Sequence, residues 1–266
     1  MGFMDERLFH RLIDECLEYP VKQISPYLMA DPLTDKRIFR FVDYIARKRP
    51  GIHIELSTTG QLLNGTNAER LLDAPLGELR ISSTGIRKQD YDLLMPGISF
   101  DQAMRNIDLF LELYYGQSPH PYPIYIVTVD GLLDEDGAVA NQKYWDERRT
   151  PIMSWEVTSR AGSVQNRVPV FHTSTIVGCA SARNSHWMNI LHDGRAILCC
   201  MDWKHETTLG DTKTSPLKEI WEGKLYSRMR EITSGLVSSP PDFICRRCEW
   251  ALTNDSKIGQ MNSHAL

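Results

Sequence analysis

Through its first 160 residues the chain alternates stretches of helical period with stretches of strand period, and this restricts it to one class of fold. Residues 4–18 carry Leu8, Leu12, Cys16 and Leu17 at helical spacing, and residues 21–29 then read as a strand. The unit recurs. Residues 35–48 place Ile38, Phe39, Phe41, Val42, Ile45 and Ala46 on a helix, and residues 52–60 alternate Ile52, Ile54 and Leu56 before a polar turn. A third strand is expected at 78–85, a helix at 100–115, a β-branched strand at 122–130 and a fifth at 152–158. Strands separated by helices require crossover connections, so the expected fold is α/β: a parallel sheet, open or curled into a partial β/α barrel.

Ligands of such sheets sit at the C-terminal ends of the strands. The polar residues there are Asp31 and Pro32 after the first strand, Ser57 to Gly60 after the second, Ser82 to Gly85 after the third, and Thr128 and Asp130 after the fourth. Thr158 to Arg160 follow the fifth. Ser, Thr, Asp and Gly also serve as ordinary turn and cap residues. Their recurrence at successive strand ends is the feature that suits an extended polar ligand.

Lys and Arg total 30 against 34 Asp and Glu, without a long block of one sign, so neither a nucleic-acid groove nor a membrane-surface patch is expected. The first residues are acidic where a signal peptide is cationic, and the chain is expected to be cytoplasmic. In a reducing compartment a CxxC points to a metal or redox site before a disulfide.

From about residue 162 the alternation stops, and a boundary is expected near 160–169, giving domains 1–165 and 166–266. Asp193-Gly194 joins two short strands, 187–191 and 195–198, as a hairpin, and residues 215–232 read as one helix with Leu217, Ile220, Trp221, Leu225 and Met229 on a face. Around these elements stand Cys179, Cys199 or Cys200, Cys245 and Cys248. Four soft thiolates suit zinc or an iron-sulfur cluster. Zinc ribbons use two CxxC knuckles, whereas here one half is two widely separated cysteines, which favours iron and sulfur. Leu198, Trp203, Trp221 and Trp250 are the residues expected to exclude water from it. His172, His186, His192 and His205 flank the region and read as surface or hydrogen-bonded histidines.

The segment "GRAILCCMDWKHETTLGDTKTSPLKEIWEGKLYSRMR", followed by "CRRC", resembles the auxiliary-cluster region of radical SAM enzymes of the SPASM and twitch type. Upstream, "YLMADPLTDKRIFRFVDYIARKRPGIHIELSTTGQLL" is similar to the family's strand-end and TNG-like segment. The resemblance implies one auxiliary 4Fe-4S cluster on Cys179, Cys199, Cys245 and Cys248. Cys199 stands five residues beyond the hairpin Gly194, as in the family pattern, and neighbouring Cys200 points to the other side of a strand. It also implies binding of S-adenosyl-L-methionine near Asp31, Pro32, Ser57, Thr59 and Ser82. The implied activity of a complete enzyme is generation of a 5′-deoxyadenosyl radical that oxidises or modifies a peptide or sugar-like small-molecule substrate, with a flavodoxin or ferredoxin as reductant.

Two of the sequence's departures from the family bear on its cofactor sites. Ala30-Asp31-Pro32 stands where the family has Gly-Glu-Pro, an acid shorter by one methylene. The CxxxCxxC loop that leaves one iron open to S-adenosylmethionine is not among these residues, and Cys16 is the one cysteine of the first half. Two expectations follow: a chain that starts inside a longer enzyme, or a cluster-poor relative working as a non-catalytic iron-sulfur or zinc partner protein.

Overall fold

The computed structural model describes residues 2–164 and 170–255, so part of the expected boundary, residues 165–169, lies outside the described residues. The chain divides into two compact units: Leu17–Val157, and Met1–Cys16 together with Thr158–Leu266. The division expected from sequence, 1–165 and 166–266, kept the first helix with the sheet; the structure groups residues 1–16 with the C-terminal part.

Residues 17–157 form a five-stranded parallel sheet in sequence order, β1 (Gln23–Ile24), β2 (His53–Thr58), β3 (Glu78–Ser82), β4 (Ile124–Val129) and β5 (Ile152–Trp155). Between them run α2 (Ile38–Lys48), α3 (Gly65–Leu72), α4 (Lys88–Leu94), α5 (Phe100–Tyr115) and α6 (Glu135–Glu147), following the first helix of the chain, α1 (Glu6–Cys16). The two-residue period of the strands divides the sheet by polarity. Ile54, Leu56, Leu79, Ile81, Ile124 and Ile126 are buried on one face, the side of the helix residues Val42, Ile45, Leu71, Ile107 and Phe110. Glu55, Ser57, Glu78, Arg80, Ser82 and Tyr125 alternate onto the other. A parallel sheet covered by apolar layers on both sides reads as continuous hydrophobic runs, so this alternation marks one face as polar.

The strand expected at 21–29 is only two residues long. Pro26 has no N–H to give to a ladder, and beyond it the chain turns toward a 3₁₀ turn at Pro32–Thr34. Three helices escaped the periodicity reading, α3, α4 and α6, although two of them start at side-chain caps: Asn64 accepts from the Asn67 amide at 3.1 Å and Asp134 from the Gly137 amide at 2.6 Å.

The second unit holds two small antiparallel sheets. β6 (Ile176–Cys179) pairs with β10 (Ala251–Thr253), and β7 (Asn189–Ile190), β8 (Arg195–Ile197) and β9 (Thr208–Asp211) form a meander. The hairpin expected at Asp193-Gly194 is present: Gly194 has φ +91°, in the region where a side chain is strained, and its carbonyl accepts from the Thr212 amide at 2.8 Å. The single helix expected over 215–232 is two, α8 (Leu217–Glu222) and α9 (Lys224–Thr233), after the short α7 (Arg183–His186). Gly223 breaks it with extended backbone, ψ 163°, and a Cβ there would lie 2.6 Å from the Glu219 carbonyl oxygen. The break rotates the second half, so Leu217 and Ile220 are buried while Leu225 is exposed. Helix α1 packs Leu8 and Leu12 against Leu217, the Arg11 guanidinium donates to the Thr212 carbonyl, and Glu15 accepts from the Leu217 amide. Among the described residues no helix is long and apolar enough to cross a membrane.

Candidate functional site

The cysteines are assembled by backbone pairing. Cys179, the last residue of β6, lies opposite Ala251 of β10, and the Ala180 amide donates to the Trp250 carbonyl at 2.8 Å. This register draws Cys179 toward Cys248, three residues before Ala251. Cys248 in turn closes a 3₁₀ turn, Ile244–Arg247, with its amide 3.3 Å from the Cys245 carbonyl. Cys199 and Cys200 follow β8, and the buried Asp202 folds the loop after them back by accepting from the Glu206 and Thr207 amides at 2.9 and 2.8 Å. Leu198, Met201, Tyr226, Ile232, Phe243 and Ile244 are buried around the thiols, with Trp221 and Trp250 packed against the same core. Trp203, expected to shield the site, is 45% exposed, and the Arg160 guanidinium lies 5.3 Å from its ring.

Burial and neighbouring thiols act on three of these cysteines in the same direction. Burial pushes the Cys199 thiol up to about 12, and the charges of Cys200, Cys248 and Cys179 add to this. Cys245 is raised well above the ordinary thiol value by burial and then by Cys199, Cys248 and Cys179. Burial and Cys179 raise Cys248 to about 11. Three thiols held in their protonated form by an apolar surround, Cys199, Cys245 and Cys248, are the kind of donors that lose their protons on binding a metal centre. Among the described residues no three His, Cys, Asp or Glu side chains gather closely enough for one metal ion. Four soft thiolates suit an iron-sulfur cluster.

Two groups missed in the sequence stand beside the thiols. Arg183 donates from Nη1 to Cys200 Sγ at 2.6 Å and from Nε to Ser181 Oγ at 3.1 Å; Ser181 Oγ is 3.4 Å from Cys179 Sγ. Arg160 donates to Met201 Sδ at 3.4 Å. No spacing rule links these arginines to the cysteines, since strand pairing and loop conformation bring them there. The histidines play structural parts: His172 Nε2 is 3.0 Å from the Cys248 carbonyl and His186 Nδ1 is 3.2 Å from the Ala182 carbonyl. His205 has a left-handed backbone, φ 56°, and a buried Nε2 without a partner.

In the sheet unit the strand-end residues meet in part. Asp31 caps the 3₁₀ turn through the Leu33 amide at 3.0 Å, and its other oxygen accepts from Thr58 Oγ1 at 2.9 Å and from the amide and hydroxyl of Thr59 at 2.8 Å each. Pro32 is the buried first residue of that turn. Ser57 lies on β2 beside Arg80, and Ser82 ends β3 opposite Val127. Asp31 and Thr59 are thus joined, while Ser57 and Ser82 stand at separate strand positions. The polar sheet face carries a network also missed in the sequence. Buried Glu55 accepts from Ser25 Oγ at 2.8 Å, Gln23 Nε2 at 3.3 Å and the Tyr27 hydroxyl, with the Arg80 guanidinium 3.6 Å away. Burial and then the Glu55 charge push the Tyr27 hydroxyl up. The signal was a glutamate inside the apolar run of β2.

Residues 179–249 match the SPASM family, described as an iron-sulfur cluster-binding domain. No curated protein matches the chain. Among solved structures, BtrN in complex with AdoMet and 2-DOIA has a TM-score of 0.60 at 14% identity, over 94% of this chain and 81% of that one. Native anSMEcpe with bound AdoMet gives 0.63 at 13%, over 94% and 79%. Streptococcus suis SuiB bound to precursor peptide SuiA gives 0.68 at 12%, over 93% of this chain and 63% of SuiB. Residues 179–249 are therefore similar to the SPASM iron-sulfur cluster-binding domain, and the chain shares the fold of BtrN, anSMEcpe and SuiB.

Proposed function

We propose that this chain is a radical SAM/SPASM-type protein whose C-terminal unit holds one auxiliary 4Fe-4S cluster on Cys179, Cys199, Cys245 and Cys248. The observation that carries the reading is geometric: Cys199, Cys245 and Cys248 pack in one apolar core, and the pairing of β6 with β10 sets Cys179 opposite Ala251, three residues from Cys248. When bound, such a cluster accepts or passes single electrons or anchors a substrate. The residues of the chain provide its dry surround, through Leu198, Tyr226 and Phe243, and hold the loop of Cys199 in place through Asp202.

The strand-end rim is the site for S-adenosyl-L-methionine. The Asp31–Thr59 pair, with Ser57 and Ser82 further along the edge, offers the carboxylate and hydroxyls that a ligand bearing an amino group and a ribose requires. BtrN and anSMEcpe with bound AdoMet support this use of the fold. The substrate class is a peptide or a sugar-like small molecule; SuiB bound to a precursor peptide supports the first. A flavodoxin or ferredoxin serves as reductant, and the cytoplasm is the compartment.

A second reading, a non-catalytic iron-sulfur partner protein, rests on the cysteine inventory. Of six cysteines, four belong to the thiol site, and Cys16 and Cys200 do not make the three-thiolate loop that radical initiation needs. Two assays on the anaerobically reconstituted 266-residue chain test both readings. Iron and acid-labile sulfide are expected at about four of each per chain; zinc or no metal overturns the cluster. With dithionite and S-adenosylmethionine, no 5′-deoxyadenosine is expected. Turnover would overturn the inference from the inventory.

A further inference from the structure

Two cations, Arg160 and Arg183, stand at the thiol core. Among the described residues, neither Arg160 nor Arg183 forms a salt bridge with a carboxylate, although Arg80, Arg87, Arg148 and Arg247 all do. Arg183 directs its guanidinium to Cys200 Sγ and, through Ser181 Oγ, toward Cys179 Sγ. Arg160 is desolvated enough to lower its proton affinity, with Cys200 opposing that effect first and Cys199 and Cys248 after it. A partly buried guanidinium without an anion is costly.

The backbone invests strain in the same place. Five non-glycine residues among those described have positive φ, and three of them are Arg160 (51°), Ala161 (52°) and Ala182 (47°), the last immediately before Arg183. Left-handed backbone is unfavourable for a non-glycine residue, and it persists where the surrounding structure enforces it. Here it falls in both arginine-bearing loops. Ala161 is buried in the thiol core, and the Trp250 ring lies 5.7 Å from the Arg183 guanidinium.

The missing anion is supplied by the thiols themselves once they are deprotonated. Four thiolates around a 4Fe-4S core carry more negative charge than the net positive charge of its irons and sulfides together, and one-electron reduction adds another unit. We propose that Arg160 and Arg183 are the counter-charges of the cluster, positioned to favour its reduced state and so to raise its reduction potential. This rests on the cluster reading above and deepens it. Neither arginine is a ligand or a catalytic residue; each acts through the sulfurs. Removing one positive charge at such a distance changes the oxidised-to-reduced ratio at fixed potential by about tenfold.

The test uses the reconstituted full chain as wild type and as Arg160→Gln, Arg183→Gln, Arg160→Lys and Arg183→Lys. Iron and sulfide are counted first, and the reduced fraction is then followed by electron paramagnetic resonance in a dithionite titration. The glutamine variants are expected to keep the cluster and shift to lower potential, with the double variant shifting further, and the lysine variants to stay near wild type. Glutamine variants that load fully and titrate as wild type overturn the proposal. Where a glutamine variant fails to load, its lysine counterpart decides: loading at the wild-type potential supports the charge, and failure of both overturns it. A wild-type chain that binds no cluster would instead refute the reading on which the proposal rests.

Discussion

The two units treat their central polar groups in opposite ways. In residues 17–157 the charges close on one another: Asp31 takes four donors at the strand-end rim, and Glu55 gathers Gln23, Ser25, Tyr27 and Arg80 on the polar sheet face. In the C-terminal unit the thiols repel one another's ionised forms, and two arginines lie beside them without carboxylates. The first arrangement is complete as protein alone. The second is arranged for a group the protein alone does not supply, and on the proposed reading metal binding and folding are coupled there.

The comparison breaks most readily at the core of the sheet. Leu56 is 1% exposed on the apolar face, and Leu56→Ala is expected to cost about 2–5 kcal/mol, read as an earlier unfolding transition. Iron content should be unchanged. Loss of iron along with the transition would show that the two regions are not energetically separate.

A smaller effect is expected at the rim. Asp31→Ala removes the acceptor of the Leu33 and Thr59 amides and of the Thr58 and Thr59 hydroxyls, and part of that loss is made good by water because the residue is half-exposed. About 1–3 kcal/mol is expected, measured by denaturant titration. Affinity for S-adenosylmethionine, measured by calorimetry, should fall as well; unchanged affinity would remove Asp31 from that site.

These contrasts also explain what the sequence made legible. Alternation on β2, β3 and β4 follows directly from a sheet with one apolar face, and α5 spans the expected residues 100–115 because its apolar spacing has no break. Gly223 and Pro26 were visible in the sequence, yet their effect depends on backbone torsions and ladder position that periodicity does not carry. The CxxC and the Asp193-Gly194 hairpin were legible because both are local signals. Arg160 and Arg183 were not, since left-handed loops and the register of β6 with β10 bring them to the thiols. Glu55 lay in plain view inside an apolar strand, but its partners Ser25 and Tyr27 reach it across the gap between β1 and β2.

The central claim is that four particular thiols hold one cluster. Its most direct test is anaerobic reconstitution of Cys245→Ala beside Cys200→Ala, with iron, acid-labile sulfide and visible absorbance measured per chain. The account predicts that Cys245→Ala loses the iron-sulfur chromophore while Cys200→Ala keeps iron and sulfide near wild-type amounts. A Cys245→Ala protein with unchanged iron and sulfide would contradict it.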